Sequence, residues 1–219
     1  MAMLLWMLLA TAGETAEGLA TRLGQAYRAG GDSQVDFTQV YTDQIRHKTR
    51  SEHGSVWLKA DGRLRWRYAG DEPKLFVYDG KHAYFSEPDS GQVTIFEDFA
   101  RSPLFTALQI LWGGGDLQQN FALAFAAPQD QCPAASPGQQ TLCLRPKQSL
   151  AALDHACLLI DSRPLQVRAA RLIDPMGNIT DYRLANLQTH RHLDDAQFVF
   201  HVDKGVSVLR APQEPAGGH

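Results

Sequence analysis

No apolar run in this chain of 219 residues is long enough to cross a bilayer as a helix, which takes about 20 residues. There is no Cys-x-x-Cys pair, and no histidine is spaced as in a zinc finger. Gly-x-Ser-x-Gly is missing, and with it the strand–turn–helix that presents a hydrolase serine. Gly113-Gly114-Gly115 is not followed by the Lys and Ser/Thr of a phosphate loop, so helix termination is the better reading. No paired carboxylates and no metal-ligand spacing stand out. Charge of either sign is nearly balanced, net −3 at pH 7, so no bulk field draws the chain to nucleic acid or anionic lipid. These absences leave no expectation of a cofactor, a metal or a nucleic-acid partner, and they point to binding rather than catalysis.

Cysteine is scarce as well. Cys132, Cys143 and Cys157 are the only three, and no cysteine precedes them to carry a lipid anchor. Cys132 and Cys143 flank the turn-rich PAASPGQQ, which admits a hairpin-closing bridge. Sequence alone does not fix the pairing, one thiol is left over, and buried inert thiols are the alternative. At the N-terminus, Met3–Leu9 is a short apolar run, and Ala10-Thr11-Ala12 is a small-x-small cleavage pattern. Residues 1–12 therefore read as a secretory signal peptide, although no Lys or Arg precedes the apolar run. The expectation is export, a single domain over 13–210 and a disordered tail over 211–219.

What the chain does have is strand. In GSVWLKADGRLRWRYAG (54–70), Leu64, Trp66 and Tyr68 alternate with Arg63, Arg65 and Arg67. Side chains in a strand alternate between faces, so one face is apolar and the other cationic. Asp61-Gly62 closes a hairpin with the upstream run Val56–Lys59. The arginine row is expected to be a solvated outer face, and Trp57 to pack as ordinary core. Before this ribbon, Leu19, Leu23, Ala26 and Tyr27 recur at helical spacing up to Gly30-Gly31. After it, strands and turns repeat about every 10 residues, as in a meander. Over 102–112 the spacing predicts a helix with Ser102 as N-cap, Pro103 at its first position and an apolar girdle. Six further strand-like runs follow. One long sheet with a few helices must curl, and its concave apolar face must be filled by side chains, a helix or a ligand.

Three short motifs carry little. Gly31-Asp32-Ser33 matches a block found in some esterases, but it follows a helix end, where such residues make turns. His190 and His192 could share a strand face, yet a solvated turn fits better. Asn178-Ile-Thr180 matches a glycosylation acceptor inside a turn.

The order of motifs resembles the LolA family of periplasmic lipoprotein carriers. The matching parts are DFTQVY, GSVWLKADGRLRWRY, LFVYDGKHAYFSEPDSGQVTIF, SPLFTALQILWGGGDLQQNFAL and FVFHVDKGVSV, spread over most of residues 14–209. The resemblance implies a mainly β fold with helices (α+β), an unclosed antiparallel β-barrel with a helical lid covering an apolar cavity. It implies binding of lipoprotein acyl chains by Leu64, Trp66, Tyr68 and Phe76, with Leu104, Leu108 and Leu111 closing the cavity. It implies a monomer that takes acylated lipoproteins from an inner-membrane ABC exporter to an outer-membrane receptor across the periplasm. Many family members have Lys-Arg-Pro where this chain has Lys59-Ala60-Asp61. Ala60 thus stands in place of the arginine that locks the lid, and nearby Arg63 is the candidate substitute. Two other classes are set beside the carrier: a non-transporting lipid or lipoprotein sensor on the same half-barrel, and a secreted esterase using Ser33.

Overall fold

In the computed structural model, which describes residues 13–101 and 117–211, the chain opens with the helix its periodicity predicts. α1 runs Ala16–Gly30. The Thr15 side chain accepts from the Gly18 N–H, and Gly31 ends the helix at φ 63°, a backbone region that glycine enters at little cost. Ala16, Leu19, Ala20 and Leu23 form the buried stripe.

Among the described residues, twelve strands make one sheet. β1 (Asp32–Asp43), β2 (Lys48–Leu58), β3 (Leu64–Ala69), β4 (Lys74–Tyr78), β5 (Ala83–Glu87) and β6 (Gln92–Phe96) form a first meander. A one-turn helix, α2 (Leu117–Asn120), leads into a second: β7 (Phe121–Phe125), β8 (Gln139–Pro146), β9 (His155–Ser162), β10 (Leu165–Ile173) and β11 (Ile179–Arg191), with β12 (Ser207–Arg210) last. The spatial order is β12-β6-β5-β4-β3-β2-β1-β11-β10-β9-β8-β7. The two meanders meet at a β1–β11 seam, and β12 and β7 are the outermost strands, not joined to each other, so the sheet is unclosed. The expected antiparallel architecture holds up to β6. β12 pairs with β6 in parallel, because the chain must first cross the whole first meander to reach that edge.

The register puts Leu64, Trp66 and Tyr68 on the same face as Val35, Phe37, Val56, Phe76 and Tyr78. This inner face shares one core cluster with Leu19 and Leu23 of α1 and with Leu142, Leu144 and Leu158 of the second meander. One cluster touching β4 and β8, which lie far apart in the strand order, requires the sheet to curl around it.

The outer face carries two covers. Over β8–β10 lies the loop 126–138, held by Arg145 on the Asp130 carboxylate (2.8 Å), His155 on the Asp130 carbonyl (2.8 Å), Thr141 on the Pro133 carbonyl (3.0 Å) and Arg171 on the Gln131 carbonyl (2.7 Å). A Cys132–Cys157 disulfide pins it, and Cys143 is the buried free thiol. The hairpin-closing pairing suggested by the PAASPGQQ turn is thus replaced by one that ties the loop down onto the sheet.

Over the first meander runs the strap Leu193–Val206. Lys59 Nζ donates to the Leu193 carbonyl (2.9 Å) and to Asp195 (2.5 Å). Arg63 reaches Asp195 at 3.0 Å, and Arg65 donates to the Gln197 carbonyl at 3.0 Å. Phe198 is buried beneath Lys59 and Arg63, and Phe200 stacks on Tyr84 at 5.1 Å. The arginine row is therefore not a solvated face: two of its three members grip the chain's own C-terminal segment. The third, Arg67, lies 5.5 Å over the ring of Trp57. Trp57 consequently belongs to the outer surface and not to the core, because its partner across the ladder is Arg65.

The strap's grip depends on two carboxylates. The Lys59 hydrogen bond, with Arg63 alongside, holds Asp195 below its ordinary 3.8. Burial pushes Asp32 up, but the N–H groups of Ala60 and Leu193, with Lys59 nearby, outweigh it and hold that carboxyl down too. A depressed carboxyl contributes its full stabilisation above the ordinary value and loses it as pH falls below the folded one. Acid-protease cleavage within Val199–Val206 should accelerate as pH falls from about 5 through the folded values of both carboxyls. In Asp195→Asn the fast cleavage should already appear at the higher pH. Equal cleavage rates in both proteins across that range would show that the carboxylates do not hold the strap.

Candidate functional site

The inner face centres on an aromatic cluster. Trp66, 3% exposed, meets Phe37 edge-on at 5.2 Å, stacks on Tyr68 at 5.7 Å and meets Tyr182 at 5.7 Å. Phe37 fits there because its ladder partner is Gly54. A side chain at Gly54 would place its Cβ 2.9 Å from Phe37 Cε1 and 1.9 Å from the Arg67 carbonyl oxygen. The glycine of the Gly-x-x-Trp-Leu-Lys motif is thus the hole into which the Phe37 ring packs. Further along, Phe99 (fully buried) packs on Phe76, Tyr78 and Phe96.

The polar atoms here are few and oriented. The Tyr68 hydroxyl donates to Gln39 at 3.0 Å. Burial drives the Tyr68 phenol far up, with Tyr182 and Glu52 adding to it, and burial also drives up Tyr182. Both therefore stay neutral, and the inner face carries hydroxyls but no phenolate. At the rim, Lys74 pairs with Glu52 at 2.5 Å and lies over the Tyr68 ring.

Between α1 and the seam lies a cleft lined by Tyr27, Ser33, Val35, Val56, Leu58, Val167, Leu184 and Leu187. Its lining is almost wholly apolar. The Tyr27 hydroxyl accepts from the Val167 N–H at 3.2 Å, and burial pushes its phenol up to about 12. The free volume is about 10 Å³, roughly the space one water centre needs. An acyl chain enters only if side chains or covering elements give way.

The candidate acyl-binding and lid residues fall into three groups. Leu64, Trp66 and Phe76 are buried in the core cluster, and Tyr68 packs against it half-buried. Leu104, Leu108 and Leu111 lie outside the described residues, as do the helix expected over 102–112 and the signal segment 1–12. Ala60 and Arg63 sit in the β2–β3 turn. The Ala60 N–H donates to Asp32 at 3.0 Å, and Arg63 pairs with Asp61 at 2.7 Å as well as with Asp195. Among the described residues, the contacts of this turn therefore run to the start of β1 and to the strap. Asp32 of the Gly-Asp-Ser block accepts from Ala60 and Leu193, while Ser33 is buried in the cleft wall. Asn178 is tied into its turn by Asp174 and accepts from Gln44, which gives it a structural part.

Sequence reasoning missed the cleft lining: Tyr27, Val35, Val56, Leu58, Val167, Leu184 and Leu187. The alternation of Val35 and Phe37 with polar neighbours was a usable signal. It placed them on one face, but which face turned toward α1 followed only from the register.

No helix of the described residues is long and apolar enough to span a membrane. The fold resembles that of an uncharacterised conserved protein from Thermus thermophilus, with a TM-score of 0.54 at 12% identity over 88% of this chain and 97% of that one. An outer-membrane lipoprotein carrier protein from Alkalilimnicola ehrlichii is 29% identical, covering 90% of this chain and 86% of the relative. A protein of the same description from Bordetella avium is 28% identical, covering 80% and 79%. The family model described as outer membrane lipoprotein carrier protein LolA matches residues 32–201. The motif order, the unclosed sheet around one apolar core and this match over most of the chain agree: the protein belongs to the LolA family.

Proposed function

We propose that this protein binds the acyl chains of lipoproteins on the inner face of its half-barrel and carries them across the periplasm. The observation that carries the reading is the apolar cleft between α1 and the seam, continuous with the aromatic cluster beneath it. Each methylene withdrawn from water is worth about 0.8 kcal/mol, so an acylated protein needs such a shield between membranes. Cargo enters as α1 and its neighbours part from the sheet, and the cleft widens from the half-buried side chains Leu58 and Leu187 inward. Leu64, Trp66, Tyr68 and Phe76 then form the floor. An inner-membrane ABC exporter loads the carrier and an outer-membrane receptor unloads it. Arg63 takes the part of the family's lid arginine through the β2–β3 turn. Placement in the periplasm accords with the disulfide, which persists in oxidising compartments. The chemistry asked of the chain is binding and release, without a cofactor.

The floor residues are too deeply buried for a clean test, since a charge there removes the fold along with the site. Leu58→Glu and Leu187→Glu, at the half-buried cleft wall, separate the two. Mass spectrometry of organic extracts of the wild type should find acyl lipid or acylated peptide in near-stoichiometric amount. A fluorescent fatty acid should bind and be displaced by lipopeptide. Both variants should weaken the fatty acid by about tenfold or more, since a charge in an apolar site costs more than about 1.4 kcal/mol, with the wild-type melting point nearly retained. A folded wild type with empty extracts and no probe binding would overturn the carrier reading in favour of an interaction module on the same half-barrel.

A further inference from the structure

The three cysteines meet at one spot on the outer face of the second meander. Cys157 is bridged to Cys132, and Cys143 stands directly across the ladder from Cys157. The kind of pair matters. The Ser162 N–H donates to the Gly138 carbonyl at 2.9 Å, which makes 138 and 162 a hydrogen-bonded pair. Hydrogen-bonded pairs alternate with non-hydrogen-bonded ones, and the β8–β9 register runs without a shift. Counting along it, 140/160 and 142/158 are hydrogen-bonded, and 143/157 is not. The Ala126 N–H bond to the Thr141 carbonyl on the β7 side agrees, since it turns the odd-numbered residues of β8 away from β9. Non-hydrogen-bonded pairs bring their Cα atoms to about 4.5 Å with side chains on one face, inside the range that a disulfide spans.

We propose that Cys143, Cys157 and Cys132 form a thiol–disulfide exchange site, in which Cys143 displaces Cys132 from Cys157 and presents Cys132 as a surface thiol to a soluble disulfide. In the first step the Cys143 sulfur attacks Cys157 Sγ. A Cys143–Cys157 bond forms, the Cys132–Cys157 bond breaks, and the proton given up by Cys143 ends on Cys132. One disulfide and one thiol remain, so no oxidant is needed. The thiol has moved from a buried strand position to a half-buried loop position. In the second step Cys132 attacks an external disulfide, forming a mixed disulfide and releasing one external thiol. The bonds from Arg145, His155, Thr141 and Arg171 keep loop 126–138 in place, so Cys132 stays within reach and the first step can reverse.

Burial, with Asp130 and Asp154 nearby, raises the Cys143 thiol above its ordinary value, and Arg145 opposes this only in part. The exchange is therefore slow at neutral pH and speeds up as pH rises, because the thiolate is the attacking form. Asp130, Asp154, His155 and Arg145 all face this corner.

The test is alkylation of the native, oxidised full chain with iodoacetamide, followed by non-reducing digestion and mass spectrometry. The expected result is a growing population with Cys132 alkylated and Cys143 bridged to Cys157. Its rate should rise by up to about tenfold per pH unit below the thiol's own value. Cys143→Ser should show no Cys132 alkylation. Cys132→Ser, treated with oxidised glutathione, should form the Cys143–Cys157 bridge. The proposal is overturned if long incubation of the wild type alkylates Cys143 alone with Cys132–Cys157 intact. It is equally overturned if Cys132→Ser keeps two free thiols under oxidised glutathione.

Discussion

Gly54→Ala is expected to remove a large part of this protein's stability, although it adds a single methyl. The new Cβ would stand 1.9 Å from the Arg67 carbonyl oxygen and 2.9 Å from Phe37 Cε1. Neither neighbour can retreat cheaply. Arg67 is backbone inside the β2–β3 ladder, and the Phe37 ring is held by Trp66, Tyr68 and Tyr182. Relief means parting two strands or expelling the ring, so the cost should reach or exceed about 3 kcal/mol, the upper end for overpacking. Urea unfolding followed by far-UV circular dichroism measures it. A midpoint equal to the wild type would mean that Gly54 does not lie between Phe37 and Tyr68 in the ladder.

Trp66→Ala is the second large effect, through the opposite cause. It empties the centre of the inner face, where the Trp66 ring is 3% exposed and packs on Phe37, Tyr68 and Tyr182. A truncation of this kind costs about 3–5 kcal/mol in all, the lost aromatic pairs included. Trp66→Phe keeps most of the volume and should cost less than half as much. Near-UV circular dichroism should lose its fine structure in the alanine protein, and the unfolding midpoint should fall with it. If Trp66→Ala instead left stability intact and altered only fatty-acid binding, Trp66 would be cavity wall and not core. The cleft variants Leu58→Glu and Leu187→Glu carry the reverse expectation, so the two sets together map where core ends and binding surface begins.

How much can be read from residues alone differs from face to face. Period-two alternation assigns Leu64, Trp66 and Tyr68 to the inner face, because one buried face imposes that pattern on the chemistry of the strand. The helix at Leu19 and Leu23 and the turn at Asp61-Gly62 are legible for equally local reasons: spacing, capping and positive φ. The outer face is not. Arg63, Arg65 and Arg67 look like solvent-facing charges until Asp195 and Gln197, more than 130 residues later, come to lie on Arg63 and Arg65. Trp57 is misplaced with them, since strand alternation does not say which face a loop will cover. The disulfide is hidden for a similar reason. The turn-rich PAASPGQQ points to a local bridge, whereas β8 and β9 pairing sets Cys143 and Cys157 opposite each other and loop 126–138 delivers Cys132. The cleft depends on β1 meeting β11, a pairing with no local signature.

That seam has a kinetic meaning. Every strand pairing but β1–β11 and β6–β12 joins neighbours in sequence, so each meander can form by closing short loops. The seam cannot. It brings Thr42 to Ile179 and Asp32 to Arg191, and the entropy of closing so long a loop falls on a step that earns nothing until both partners exist. The expected order of assembly is two local half-sheets first, with their union as the late, rate-setting event, which would show as a slow refolding phase that destabilising the β1–β11 pairing makes slower still. While that union is pending, the unpaired edges of β1 and β11 and the apolar inner face lie open to other chains.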